Sequence, residues 1–259
     1  MPVEGLTAWQ AAGFLVCVAI ATAAQSITGF ALALILLGLT GLFELAPLPD
    51  VANVATVLSL ASAAVALRAG AVRSLDRKMV QATVSGSVFG VGSGVILLAW
   101  LSANVLMVLR LLLGIVIVAC AVIVLVRTKP LAQRSSNASF HGFGFLSGLL
   151  GGLFSASGPP LVYQFYRQPL SIEQVRDTLV ATLAAGSLIR LAMVVPSGQF
   201  SVRALGLAVA AVPLAIGVTW WMKRHPPAWD RKAVLKIVCV LLVITGVGLV
   251  GPAVHSLFP

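Results

Sequence analysis

The stretch Ser155-Ala156-Ser157-Gly158-Pro159 interrupts an apolar run, and it decides the fold that we predict for this chain. Half a chain length earlier, Ser26-Ile27-Thr28-Gly29-Phe30 interrupts a second apolar run in the same way. Glycine, proline and hydroxyl residues break helices because they remove or compete for backbone hydrogen bonds. Because the two breaks lie half a chain length apart, we predict two repeats, residues 1–127 and 141–259, joined by a linker at residues 128–140.

The composition places the chain in a membrane. Of its 259 residues, 59% are hydrophobic and only 9% are charged, and the mean hydropathy is +1.06. A helix needs about 20 apolar residues to cross a bilayer. Runs of about that length lie at residues 51–67, 79–101, 105–126, 175–195, 204–222 and 234–250. They predict an all-α polytopic membrane protein.

The apolar stretch that contains the first break is too long for one crossing. Residues 8–43 would reach about 54 Å as a single helix at about 1.5 Å per residue. The hydrocarbon core of a bilayer is only about 30 Å thick. This stretch is therefore predicted to fold as a helical hairpin that turns at its polar break. The sequence leaves open whether the arms of the first hairpin cross fully or are re-entrant.

The basic residues mark one side of the membrane. A net charge of +10 would suggest nucleic-acid binding in a soluble protein. Here the lysines and arginines lie in short loops between spans, and cytoplasmic loops carry such an excess. We therefore exclude a nucleic-acid partner and predict that the N-terminus is outside. The loops predicted to be cytoplasmic are residues 68–78, 127–141, 167–176 and 223–236.

The same rule decides how residues 141–166 fold. A single crossing would place Arg167, Arg176 and the loop at 223–236 outside, whereas a hairpin keeps every basic loop inside. Each half is then one broken or re-entrant hairpin followed by three transmembrane helices. An odd number of crossings inverts the second half relative to the first. The sequence thus predicts two inverted-topology repeats, which are common in secondary transporters.

The second break carries a resemblance to a known family. Residues 144–161 read Gly-Phe-Leu-Ser-Gly-Leu-Leu-Gly-Gly-Leu-Phe-Ser-Ala-Ser-Gly-Pro-Pro-Leu. This run resembles the second-half signature of the sulfite exporter (TauE/SafE) family of membrane permeases, with Ser157 where a glycine is usual. The first copy, at residues 24–33, is more divergent.

The resemblance implies a secondary transporter in the bacterial cytoplasmic (inner) membrane. Its substrates would be small sulfur-containing anions, namely sulfite or organosulfonates such as sulfoacetate. They would bind at the membrane midplane, between the two broken helices. A channel or carrier for another small anion or solute is the alternative.

The chemistry of a broken helix also favours an anion. The second half of such a helix begins with free N–H groups, and the helix dipole attracts negative charge there. Hydroxyl side chains add further donors. The candidate substrate-binding residues are Gln25, Ser26, Thr28 and Gly29 at the first break and Ser155, Ser157 and Gly158 at the second. The alternative is that small residues only allow close helix packing, and we favour packing for Gly148, Gly151 and Gly152.

Two arginines lie inside apolar segments, where charges are costly and usually functional. Arg190 follows the second break on the next span, and its planar guanidinium suits the oxygens of sulfonate or sulfite. Arg110 is a second candidate ligand. For each, the alternative is a side chain that extends to the membrane surface, and we favour this for Arg110. Asn53, Thr56 and Thr182 either line the site or bond only to helix backbone.

The remaining ionisable residues argue against other functions. We expect no carboxylate inside a span; the acidic residues are Glu4, Glu44, Asp50, Asp76, Glu173, Asp177 and Asp230. The cysteines show no metal-ligand spacing, and the histidines lie at span ends. We therefore predict no enzyme, no metal and no cofactor. The expected partners are the small anion and the lipid bilayer, and a homodimer is left open.

Overall fold

The computed structural model describes residues 8–68, 75–125, 131–225 and 231–257 of the chain. In this part the chain is built from helices. They are α1 (Ala8–Thr28), α2 (Leu32–Leu42), α3 (Leu48–Arg68), α4 (Arg77–Asn104), α5 (Leu106–Leu125), α6 (Asn137–Phe154), α7 (Gly158–Tyr166), α8 (Ile172–Val194), α9 (Val202–Arg224) and α10 (Arg231–Leu257). The predicted all-α fold is confirmed.

Most of the apolar runs predicted as spans are long helices in the structure. By length and composition, α1, α3, α4, α5, α8 and α9 can each cross a membrane, and α10 contains a shorter apolar segment, Lys236–Val250. Parts of the basic loops, including Arg73, Arg127 and Lys129, lie outside the described residues. The protein is therefore a polytopic membrane protein, while the sidedness of its loops stays a prediction.

The first hairpin breaks where the sequence predicts. Gly29 has a φ of +90°, a region that residues with a side chain rarely adopt. Its N–H still donates to the Gln25 carbonyl at 2.7 Å, so α1 ends there. After the turn, α2 is buried along almost its whole length. Its 11 residues reach about 16 Å, which is half of the hydrocarbon core.

The second hairpin also breaks as predicted, but with a different residue at its turn. Ser155 ends α6 with a φ of +56°, and the Ala156 N–H reaches back to the Leu150 carbonyl at 3.3 Å. Pro159 and Pro160 then start α7, where their fixed φ suits the first turn of a helix. Because α7 has only nine residues, it too is a half-length arm.

Glycines bring α4 and α6 together more closely than any other helix pair in the described structure. On each helix the glycines recur every four residues and so lie on one face. A Cβ on any of them would overlap a backbone carbonyl oxygen of the other helix. They are Gly86, Gly90 and Gly94 on α4, and Gly144, Gly148 and Gly152 on α6. The packing role predicted for Gly148 and Gly152 is confirmed, whereas Gly151 faces the Ser157 hydroxyl.

Several of the helix contacts correspond between the two halves. In the first half α3 contacts α9, and in the second α8 contacts α4. In the same way α2 contacts α10 and α7 contacts α5, while α3 meets α8 and α5 meets α10. The half-length helix α2 lies in the main apolar cluster with α1, α3 and α5. This arrangement places both breaks inside the bundle.

Candidate anion-binding site

The centre of the candidate site is Arg190, near the end of α8. Its side chain is 1% exposed, so it does not extend to the membrane surface. Nη1 donates to Thr56 Oγ1 at 2.6 Å, to Asn53 Oδ1 at 3.0 Å and to the Ala52 carbonyl at 3.4 Å. Nε donates to the Gly152 carbonyl at 3.1 Å. One guanidinium therefore joins α8 to α3 and to α6, just before the second break.

The positive charge of Arg190 has neutral partners only within the described part of the chain. Its acceptors are two backbone carbonyls, an amide and a hydroxyl. Nη2 is buried and has no hydrogen-bond partner there. A buried charge without a counter-ion is strongly unfavourable, and more so in a membrane. The geometry thus leaves a buried cationic donor for which an anion is the natural partner.

The second break is linked to this arginine through Thr56. Ser155 Oγ lies 3.0 Å from Thr56 Oγ1, and the Thr56 hydroxyl donates to the Ala52 carbonyl at 2.9 Å. Because a hydroxyl has one proton, Ser155 must donate to Thr56. Thr56 Oγ1 then accepts from both Arg190 and Ser155, so its hydrogen-bonding capacity is filled.

The side-chain amide of Asn53, whose oxygen accepts from Arg190, is also held through its nitrogen. Its Nδ2 donates to the Gln199 carbonyl at 2.8 Å in the loop between α8 and α9. One turn earlier on α3, Asp50 Oδ1 accepts from the Ser201 hydroxyl at 2.6 Å. These contacts fix the first turns of α3 against the loop that follows Arg190. The side chain that accepts from the guanidinium is therefore itself positioned by tertiary structure.

The structure brings the two breaks into contact. A Cβ on Gly158 would lie 2.5 Å from Phe30 Cβ, so the start of α7 touches the residue that follows Gly29. The Ser157 carbonyl accepts from Ser147 Oγ at 2.7 Å, and a Cβ on Gly186 of α8 would lie 3.9 Å from the Ser157 hydroxyl. The second break thus lies between the first break and α8.

Three hydroxyls predicted to line the site bond to their own helices instead. Thr28 donates to the Ala24 carbonyl at 2.7 Å, Ser26 to the Thr22 carbonyl at 2.9 Å and Thr182 to the Thr178 carbonyl at 2.7 Å. Ser26 is also exposed, and Gln25 is half-buried. The structure does not bring these side chains into the hydrogen-bonded group around Arg190.

Arg110 is also apart from that group. Its Nη1 donates to Glu44 Oε1 at 2.6 Å, in the loop between α2 and α3. The Arg110 side chain is 32% exposed. This placement fits the alternative of an arginine that extends to the membrane surface.

The two short helices offer different numbers of backbone donors. The first N–H groups of α2, those of Leu32, Ala33 and Leu34, lie too early in the helix for an acceptor within it. Ala31 at the N-cap gives them no side-chain acceptor. In α7 the second and third positions are Pro159 and Pro160, which have no N–H. The predicted free donors are thus present in α2 and largely missing in α7.

Three acidic residues depart from the predicted pattern: Asp50 lies in the candidate span Leu48–Val65, and Glu173 and Asp177 lie in the candidate span Glu173–Val194. The prediction that all carboxylates fall outside the spans is wrong here. Helices α3 and α8 begin before the apolar runs predicted at residues 51–67 and 175–195, and a capping box of Ser171 and Gln174 starts α8. Asp177, which is 6% exposed, lies near the start of its predicted run. Groups of three or more potential metal ligands are absent from the described residues.

Comparison with known proteins agrees with the resemblance of the second break. The family described as Sulfite exporter TauE/SafE matches residues 14–249. A protein from Cupriavidus necator, named "Probable sulfite/organosulfonate exporter TauE", is 34% identical over 256 residues. The aligned region covers 99% of this chain and 96% of that relative. No solved structure shows a significant match to this chain.

Proposed function

Because this chain belongs to the sulfite exporter TauE/SafE family of membrane transporters, we propose that it exports small sulfur-containing anions. The substrates would be sulfite or organosulfonates, and sulfoacetate is one example. Export would take place across the bacterial cytoplasmic membrane. An inside-negative membrane potential drives anions outward, which fits this direction.

The observation that carries the proposal is the charge of Arg190. Its guanidinium is buried, its described partners are all neutral, and Nη2 is free to donate. A sulfonate or sulfite group has several oxygens that a planar guanidinium can bind, and it supplies the missing negative charge. Along the second break, Ser155 is linked to that arginine through Thr56, and Ser157 and Gly158 lie beyond it.

The proposed architecture is a pair of inverted repeats, 1–127 and 141–259, with the substrate between their broken helices. The helix-by-helix correspondence of contacts supports it. So does the contact between Phe30 and Gly158, which joins the two breaks. Inverted repeats commonly carry the substrate where discontinuous helices meet. On this proposal the basic loops are cytoplasmic.

Calorimetric titration of the purified protein with sulfite, sulfoacetate and isethionate tests the site. Replacing Arg190 with Ala removes a charged hydrogen bond of about 1.5–3 kcal/mol. We therefore expect affinity for the bound anion to fall by about 10-fold to 100-fold. Arg190→Lys keeps the charge but not the planar donor pair, so it should recover part of that loss.

The matched control is Arg203→Ala, which removes an exposed arginine from the first turn of α9. It should leave the affinity unchanged. Unchanged affinity in Arg190→Ala would refute the assigned site. Saturable substrate flux in proteoliposomes would support a carrier, whereas flux proportional to the driving force would show a channel.

A further inference from the structure

A cavity opens at the surface of the bundle, and neither Arg190 nor its hydrogen-bond partners line it. It has a volume of about 160 Å³ and is lined by Ile123 of α5, Phe143 and Leu146 of α6, and Pro160 and Tyr163 of α7. Leu146 is 43% exposed, so the cavity opens to the surface of the protein. The Phe143 and Tyr163 rings stack in its wall, with centroids 5.9 Å apart. The surface that lines the cavity is entirely apolar.

The hydroxyl of Tyr163, one of the lining residues, accepts a hydrogen bond from a cation, Arg167. Arg167 donates from Nη1 to Tyr163 Oη at 3.0 Å, and its guanidinium lies 5.1 Å from the ring centroid. In the described part of the chain Arg167 has no carboxylate partner. The Arg167 carbonyl accepts from the Leu131 N–H at 2.8 Å, so the end of α7 lies beside the linker. The cavity therefore has an apolar lining that includes Pro160, and a cation, Arg167, lies beside it, bonded to Tyr163.

This polarity matches one kind of molecule in a membrane. From Pro160 to Arg167 is seven residues, or about 10 Å along a helix. A comparable cavity of about 150 Å³ holds a benzene-sized apolar group, so several methylene groups of an acyl chain fit here. Basic sites between transmembrane helices bind anionic headgroups, and aromatic residues such as Tyr163 favour the level of the headgroups.

We propose that this cavity is a binding site for an anionic phospholipid. One acyl chain occupies the space between Ile123, Leu146 and Pro160, and the headgroup phosphate binds Arg167. A zwitterionic lipid supplies the same chain without the net charge, so it binds more weakly. Because Pro160 belongs to the first turn of α7, the bound chain contacts the helix that follows the second break. The lipid therefore stabilises the position of that helix.

The test measures thermal unfolding of the full-length protein in an uncharged detergent. Phosphatidylglycerol and phosphatidylcholine with identical acyl chains are added in separate titrations. A ligand of the folded state raises the melting temperature by mass action. We expect phosphatidylglycerol to raise it by about 3 °C more than phosphatidylcholine does. Equal shifts for the two lipids would overturn the proposal.

Arg167→Gln should remove the difference between the two lipids. The matched control is Arg224→Gln, because Arg224 is an exposed arginine that lies 5.3 Å from the centroid of the Trp220 ring at the end of another span. That variant should keep the difference. If Arg167→Gln also keeps it, the headgroup does not bind there. If both variants lose it, the effect is general surface charge, and the site is refuted.

Two further measurements address the acyl chain and the fold. Tyr163→Phe keeps the stacked ring but loses the hydroxyl that orients Arg167, so it should reduce the lipid difference without unfolding the protein. Glycerol phosphate, which has the headgroup phosphate without a chain, should give no shift. A shift as large as that from phosphatidylglycerol would show a free phosphate site and overturn the lipid assignment.

Discussion

The two breaks occupy corresponding places in the chain but differ in almost every local contact. The first turns at Gly29, and its neighbouring hydroxyls on Thr28 and Ser26 bond to their own helix. The second turns at Ser155, whose hydroxyl donates to Thr56 and so reaches the Arg190 group. The free N–H groups show the opposite distribution, since α2 keeps them and prolines remove most of them from α7.

The difference indicates that the halves contribute different chemistry to the proposed site. In the second hairpin, the Gly152 carbonyl accepts from Arg190 and the Ser155 hydroxyl donates to Thr56, so this hairpin orients the guanidinium and the Thr56 hydroxyl. The first hairpin leaves backbone donors at the start of α2. An anion held by both would contact a guanidinium on one side and helix N–H groups on the other. Divergence of the first copy in sequence therefore need not mean that its break is unused.

The largest expected effect concerns the arms that lead into the breaks. A Cβ on Gly148 of α6 would overlap the Ser87 carbonyl of α4, whereas a Cβ on Gly13 of α1 would meet only the Leu45 side chain at 3.5 Å. Gly148→Ala should therefore destabilise the protein by about 2 kcal/mol. Gly13→Ala should be neutral or mildly stabilising, since alanine favours a helix over glycine.

Thermal unfolding of both variants in detergent checks this contrast. Gly142→Ala is a control on α6 itself, because a Cβ there meets nothing within 4 Å. Its melting temperature should match the wild type or exceed it. Equal losses in Gly148→Ala and Gly13→Ala would mean that the two arms pack alike.

The next effect concerns the turn residues. Gly29→Ala should cost about 1–2 kcal/mol, because φ is +90° there even though the added Cβ meets no atom within 4 Å. Ser155→Gly relieves a positive φ but loses the bond to Thr56, so its net effect on stability should be near zero. Chemical denaturation of both variants measures this. A tolerated Gly29→Ala would show that the first turn relaxes without cost.

A smaller effect separates the hydroxyls of the two breaks. Ser155→Ala removes a hydrogen bond between elements and should cost about 1 kcal/mol in stability. It should also lower the affinity for the anion by about fivefold, because Thr56 is left with a free lone pair beside Arg190. Ser26→Ala should change neither quantity, since Ser26 is exposed and bonds within α1. Calorimetry together with thermal unfolding distinguishes these outcomes.

Much of the fold could be predicted because the relevant signals are local. Gly29 ends α1 and Pro159 starts α7 through backbone chemistry that needs no neighbour. Long apolar runs reveal spans in the same way. The start of α8 was missed by three residues, since a capping box begins the helix at Ile172 and the predicted run begins at residue 175.

The site could be predicted only in part. Arg190 stood out because charge is rare in a span. Its acceptors include the carbonyls of Gly152 and Ala52, and a sequence does not say which carbonyls face a side chain. Nor does it say whether a threonine bonds only its own helix, as Thr182 does, or also a neighbour, as Thr56 does.

The smallest expected effect compares the ion pairs that secure the two hairpins. Glu44 pairs with Arg110 beside the first hairpin, and Asp76 pairs with Arg134 just before the second, at 2.9 Å. Burial raises the pKa of the Asp76 carboxyl, but hydrogen bonds from the Met79 N–H and from Arg134 outweigh it, so the pKa is lower than usual. A carboxyl with a lowered pKa stabilises the fold above its unfolded pKa of about 3.9. That contribution disappears as the pH falls toward the folded value.

Asp76→Asn keeps an N-cap side chain on α4 but loses the charge. At neutral pH the variant should be less stable by under about 1 kcal/mol, because the pair is only partly buried. Melting temperatures measured from about pH 6 to pH 3 should bring the wild type and the variant together at the acid end. Glu44→Gln should have a smaller effect at neutral pH, since the Glu44 side chain is 66% exposed, against 14% for Asp76. A larger loss in Glu44→Gln would mean that the first hairpin, and not the second, depends more on its ion pair.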